Sequence, residues 1–88
     1  MKHAGARALD QLEPLLTRIR ALPGLAEKSR GVFYWKSRAF LHFHEDAKGL
    51  FADLRDVTGK DFDRIDVTEQ AGAEALIAAA RLRLGQPS

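Results

Sequence analysis

Gly31-Val32-Phe33-Tyr34-Trp35-Lys36-Ser37-Arg38-Ala39-Phe40-Leu41-His42-Phe43-His44-Glu45-Asp46 is the stretch on which the fold turns. It is dense in β-branched and aromatic residues, the composition of pleated strands. Val32 to Lys36 reads as one strand and Ala39 to His44 as the next, with Ser37-Arg38 as the turn between them. Asp46-Ala47-Lys48-Gly49 has the turn chemistry of a hairpin closed by a left-handed glycine. Leu50 to Arg55 then gives a third strand. After a Thr58-Gly59-Lys60 turn, Phe62 to Val67 offers a fourth, in which Ile65 and Val67 alternate with Arg64 and Asp66. Asp61, Asp63 and Asp66 weigh against that fourth strand.

Helical spacing flanks this meander. On the N-terminal side Leu9, Leu12, Leu15, Leu16, Ile19 and Leu22 recur at intervals of three and four, one stripe of a helix. Asp10 and Glu13 have capping-box spacing, which starts the helix near Asp10 and leaves Pro14 in its first turn, where a missing N–H is tolerated. The alternative is a start near Ala6 with a kink or break at Pro14. Pro23-Gly24 ends the helix, and residues 24–30 read as a polar connector. On the C-terminal side Thr68 is the expected N-cap of an alanine-rich helix running to about Leu84, with Leu76, Ile77, Ala80 and Leu84 on its apolar stripe. Gly85 stops it. The expected fold class is α+β: an N-terminal helix, an antiparallel β-meander of three to four strands and a C-terminal helix. It forms one small domain over residues 1–88, with an ordered core of about 8–84.

Strand side chains alternate between faces. With Ser37-Arg38 as the turn, Trp35 opposes Phe40 and Phe33 opposes His42. With the Asp46–Gly49 turn, His44 opposes Phe51, His42 opposes Asp53 and Phe40 opposes Arg55. One face is then Val32, Tyr34, Leu41, Phe43, Ala52 and Leu54, which suits burial under the helices. The other is Phe33, Trp35, Phe40, His42, His44, Phe51, Asp53 and Arg55. That second face is too aromatic for a wet surface and too polar for an ordinary core. Mixed aromatic and arginine character marks interfaces and ligand sites. The leading expectation is therefore a non-catalytic binding or interaction module that self-associates, as a dimer, through this aromatic face. The competing arrangement sets one helix on each face and leaves no surface to act.

His42 and His44 lie two apart on a strand, so both rings project to one side, and Asp53 opposes the first. Two imidazoles and a carboxylate suit zinc, or iron where positions stay open. His42, His44 and Asp53 thus form the candidate metal or small-ligand set. The plain alternative has Asp53 hydrogen-bonding His42 while Arg55 packs on Phe40 as a cation–π pair. No cofactor is required by any motif, though zinc fits this set. The histidines could also serve as acid and base. No Ser, Thr or Lys nucleophile is placed beside them, so catalysis ranks below binding.

Charge is uneven along the chain. Residues 1–40 carry eight Lys or Arg against three acidic residues, and residues 41–88 carry six against nine, which gives the net +2. Lys36 and Arg38 form a basic hairpin tip beside stackable aromatics, the minimal requirement for single-stranded nucleic acid. Asp53 on the same face would repel phosphate, and the signature of aromatic RNA-binding sheets is missing, so nucleic acid is not favoured. No P-loop, dinucleotide-binding glycine pattern or helix-turn-helix signature is present. The chain has no cysteine, which excludes disulfides, thiolate metal sites and cysteine nucleophiles. No apolar run approaches the ~20 residues needed to span a bilayer, and no apolar segment follows Lys2-His3 as in a signal peptide. The expected location is the cytoplasm, away from membranes.

The run from Gly31 to Asp46, with Gly49-Leu-Phe-Ala-Asp-Leu-Arg55 after it, resembles a group of short bacterial conserved hypothetical proteins. The resemblance covers the central third of the chain. It implies a bacterial cytosolic protein and carries no activity, cofactor or site residue with it.

Overall fold

The computed structural model describes residues 1–86. In chain order the elements are β1 (Lys2–His3), α1 (Ala6–Arg20), β2 (Leu25–Ser29), β3 (Val32–Trp35), β4 (Arg38–Asp46), β5 (Gly49–Arg55), β6 (Phe62–Asp66) and α2 (Gln70–Arg83). The α+β class holds, with six strands where three or four were expected. The sheet runs β2-β3-β4-β5-β6, and every pairing is antiparallel. The fourth strand of the expected meander is β6, carried despite its aspartates. Two further strands went unforeseen. β2 replaces the polar connector: it is an edge strand, needing only Leu25 opposite Trp35 to anchor it, and polar edges resist unwanted pairing. β1 pairs Lys2 with Glu45 and His3 with His44, on the edge of β4 that β3 uses farther along. Regular structure therefore starts ahead of the expected core.

α1 begins at Ala6, not near Asp10. The strand pairing of β1 decides this start. It brings the Glu45 carboxylate to the Gly5 N–H, which donates to it at 2.6 Å, and a carboxylate there also favours the positive end of the helix dipole. Asp10 and Glu13 are drawn instead to Arg30, and Glu13 also to Arg20. Pro14 is accommodated inside the helix. In α2 the N-cap position is Glu69 rather than Thr68. The Thr68 hydroxyl accepts the Leu50 N–H and ties the helix entry to β5.

Both helices pack on the same sheet face. One continuous core joins Leu12, Leu15, Leu16 and Ile19 of α1, Ala73, Leu76, Ile77 and Ala80 of α2, and Leu41, Phe43, Ala52 and Leu54 of the sheet. The fold has two layers, and among the described residues no helix lies on the other sheet face. The arrangement with one helix on each face is thus overturned.

The β3–β4 hairpin corrects the expected register. Its turn is Lys36-Ser37, not Ser37-Arg38: Trp35 pairs with Arg38, and both turn residues have positive φ (52° and 67°), the backbone of a type I′ turn. Beyond it Tyr34 pairs with Ala39 but Phe33 pairs with Leu41, which leaves Phe40 as the extra residue of a β-bulge. Phe40 and Leu41 are both buried in the core. The bulge resets the alternation. Phe33, Trp35 and Phe40 belong to the helix-covered side, and His42 and His44 to the open one.

Candidate metal centre on the open sheet face

The β4–β5 register is as expected: His44 pairs with Phe51 and His42 with Asp53. Asp53 pairs in turn with Arg64 of β6. Alternation puts His42, His44, Phe51 and Asp53 on the open face together. β1 adds a side chain that sequence spacing did not suggest, because His3 lies directly opposite His44. The chain has three histidines, and one ring nitrogen from each lies within 4.8 Å of the others.

The geometry is close. His42 Nδ1 is 3.0 Å from His44 Nε2, near enough to share a hydrogen. His44 Nε2 is 3.2 Å from Asp53 Oδ2. The rings of His3 and His44 stack with centroids 4.6 Å apart, and His42 meets both obliquely. A tetrahedral ion with bonds of ~2.0–2.1 Å separates its ligand atoms by roughly 3.3–3.4 Å. The His42–His44 and His44–Asp53 separations are on that scale, and the His3 nitrogen lies within 4.8 Å of the other two imidazoles. Phe62 of β6 sets its edge against His42 at 4.9 Å, and the Arg55 guanidinium covers Phe62 at 4.5 Å, an apolar wall on one side of the cluster.

Asp53 is the only buried charged residue among those described, at 7% exposure. Arg64 supports it with two parallel bonds, Nε to Oδ1 and Nη2 to Oδ2, both 2.8 Å. This fork holds the Asp53 carboxyl below its usual range. Burial pushes the His42 and His44 imidazoles below their ordinary value, and at His42 the neighbouring His44 adds to the effect. Both rings are therefore biased to the neutral form, the one that ligates metals.

The expected aromatic face does not survive. Five of its eight residues remain on the open side: His42, His44, Phe51, Asp53 and Arg55. Trp35 packs its ring against Phe40 at 5.7 Å on the core side, with Phe33 fully buried beside them. Tyr34, assigned to the helices by an alternation without the Phe40 bulge, pairs with Ala39 and belongs to the open side. Arg55 stacks on Phe62 rather than Phe40. Of the metal set, His42, His44 and Asp53 are together, while His3, Arg64 and Phe62 were missed. Nothing in the spacing of a two-residue strand could place His3; only the presence of a third histidine hinted at it. Lys36 and Arg38 sit at the hairpin tip, apart from the cluster, and Arg38 donates to the Gly59 carbonyl. Much of the basic N-terminal half is neutralised locally: Arg18 pairs with Glu74, Arg20 with Glu13 and Glu27, and Arg30 with Asp10 and Glu13. Among the described residues no helix is long and apolar enough to cross a membrane. Comparison of the chain with family models, with curated proteins and with solved structures gives no match, so the reading of this cluster rests on its own geometry.

Proposed function

We propose that this protein is a small metal-binding domain in which His3, His42 and His44 hold one divalent late transition ion, zinc first among them. The observation that carries the reading is the convergence of all three histidines of the chain on one point of an otherwise uncovered sheet. Three imidazoles suit zinc, copper or nickel better than magnesium or calcium, which prefer oxygen donors. Asp53, whose Oδ2 lies 3.2 Å from His44 Nε2, acts as fourth ligand, and Arg64 fixes its position, as outer partners do in metal sites. Three protein ligands from strands, with solvent at the remaining position, also suit binding of a small anion to the ion. The test is calorimetric titration of untagged protein with zinc, beside His44→Ala. Saturable one-to-one binding that the variant loses supports the reading. An absence of zinc binding at neutral pH overturns it.

A second reading rests on a separate observation. Tyr34, Phe51 and Phe62 lie on the open face with no helix above them, and Phe62 is 36% exposed. Such a surface suits self-association of two copies face to face. Wild type and Phe51→Glu compared by sedimentation at high micromolar concentration distinguish the cases. A dimer that the variant converts to monomer supports association, and a monomeric wild type removes it.

A further inference from the structure

A second feature lies at the β3–β4 hairpin end of the sheet and shares Arg55 with the wall of the histidine cluster. A cleft of about 380 Å3 opens between the Lys36-Ser37 turn, the β5–β6 loop around Gly59 and the last turn of α2. Ligand cavities span roughly 300–1,000 Å3, so the cleft takes a small molecule rather than a chain segment. Lys36, Arg38, Arg55 and Arg83 contribute to its lining, with Asp56 as the one acidic residue among the lining groups. Arg83 is matched by Asp63. Asp56 is occupied by its own loop, accepting from Thr58 and from the Gly59 N–H. Lys36, Arg38 and Arg55 have no carboxylate partner among the described residues.

Two of these cations converge. Arg38 Nη2 and Arg55 Nη1 both donate to the Gly59 carbonyl, at 2.6 and 3.0 Å. Two guanidinium groups gathered on one neutral oxygen repel each other, and an anion beside them would remove that cost. The cleft also has an apolar side. The large apolar side chains exposed among the described residues are Met1, Val57, Phe62 and Leu82, and two of them, Val57 and Leu82, line it. Trp35 lies there too, with the Lys36 ammonium 4.7 Å from its ring centre.

We infer that this cleft binds a small organic anion: a flat apolar ring bearing a carboxylate or a phosphate, with the charge at Arg38 and Arg55 and the ring against Val57, Leu82 and Trp35. This site uses none of the histidines, and Arg55 borders both it and the histidine cluster. The same chemistry could come from an aromatic acid or from a nucleotide.

The experiment follows backbone and indole N–H resonances of 15N-labelled protein during titration with 2-naphthoate, with adenosine monophosphate and with neutral 2-naphthalenemethanol. Trp35 is the only tryptophan, so its indole N–H is a single reporter on a residue that lines the cleft. The expected result is saturable shifts at Trp35 and Gly59 with at least one of the two anions, and the anion that binds identifies the source. The Lys36→Glu/Arg38→Glu double variant should bind at least about tenfold more weakly, about 1.4 kcal/mol. Both side chains are exposed, and Lys36→Glu alone serves if the double variant loses its dispersed spectrum. No saturable shift with either anion up to about 5 mM, the millimolar limit of useful affinity, overturns the inference. So does equal binding of the neutral alcohol, or undiminished binding by the variant. A short single-stranded oligonucleotide that binds where both small anions fail overturns it in favour of a nucleic-acid surface.

Discussion

His3 and His44 are direct partners across the β1–β4 pairing, and their rings stack at 4.6 Å with 29° between planes. A two-residue strand is too short to hold itself. Here it is fixed by its pairing with β4, by the Ala4 N–H bonded to Phe43 and by the Gly5–Glu45 bond. His3 is exposed and contributes little burial, so its imidazole can be removed without disturbing the core.

His3→Ala should therefore separate ligation from folding. Zinc affinity is expected to fall at least about tenfold, or 1.4 kcal/mol, while the melting temperature without metal changes little. In the wild type, zinc at about 100 times its Kd adds about 2.7 kcal/mol of stability. For a domain of this size that raises the melting temperature by roughly 10 °C or more. Calorimetry and a thermal melt read the two quantities independently.

The pH dependence follows from the same burial. Unfolded His42 and His44 take up protons near their ordinary value of 6.5, whereas the folded rings resist protonation to lower pH. Between those limits the unfolded chain binds more protons, so stability rises with pH. Their contribution is fully present above pH 6.5 and is lost as acid carries the pH down through the folded values. Chemical denaturation of metal-free protein at pH 7.5 and at pH 5.5 should show the fall. A His42→Gln/His44→Gln variant should flatten it.

Arg64 is what makes a buried carboxylate tolerable on the open face. Its loss in Arg64→Met should raise the Asp53 pKa, because the hydrogen bonds that dominate its lowering disappear while burial remains. Carbon-detected titration of the Asp53 carboxyl measures this directly. In the same variant zinc affinity should fall, since Asp53 no longer has a fixed orientation toward His44.

Ser37 stands at φ 67°, in the left-handed region that favours glycine. Ser37→Gly should stabilise the hairpin by about 1 kcal/mol, because the second central position of a type I′ turn prefers glycine. Equilibrium denaturation checks the change. A destabilised variant would contradict the turn assignment.

These sites also explain what sequence could convey. The β4–β5 ladder was legible because Asp46 and Gly49 have unambiguous turn chemistry, and from that turn the pairings of His42 and His44 follow. The helix stripes were legible from spacing alone. The β3–β4 register was not, since Lys36-Ser37 is an uncharacteristic type I′ pair and a bulge at Phe40 has no sequence mark. One extra residue reverses the alternation, so that single omission misplaced Phe33 and Trp35 together. His3 was hidden for another reason. Its position depends on a long-range pairing with His44, forty-one positions away, which no local pattern encodes. The capping-box reading failed because carboxylates with that spacing also make good arginine partners, and Arg20 and Arg30 lay within reach.

The doubled residue at Phe40 gives β4 two allegiances. It sets two consecutive side chains, Phe40 and Leu41, in the layer beneath the helices, and the strand then alternates, with His42 and His44 on the side that meets solvent. Excising residue 40 would leave Tyr34–Ala39 and Phe33–Leu41 as consecutive rungs of a regular ladder, so β3 would keep its faces while the core lost the Phe40 ring. A single unpaired position thus adds one more ring to the scaffold without moving the groups mounted on its far side.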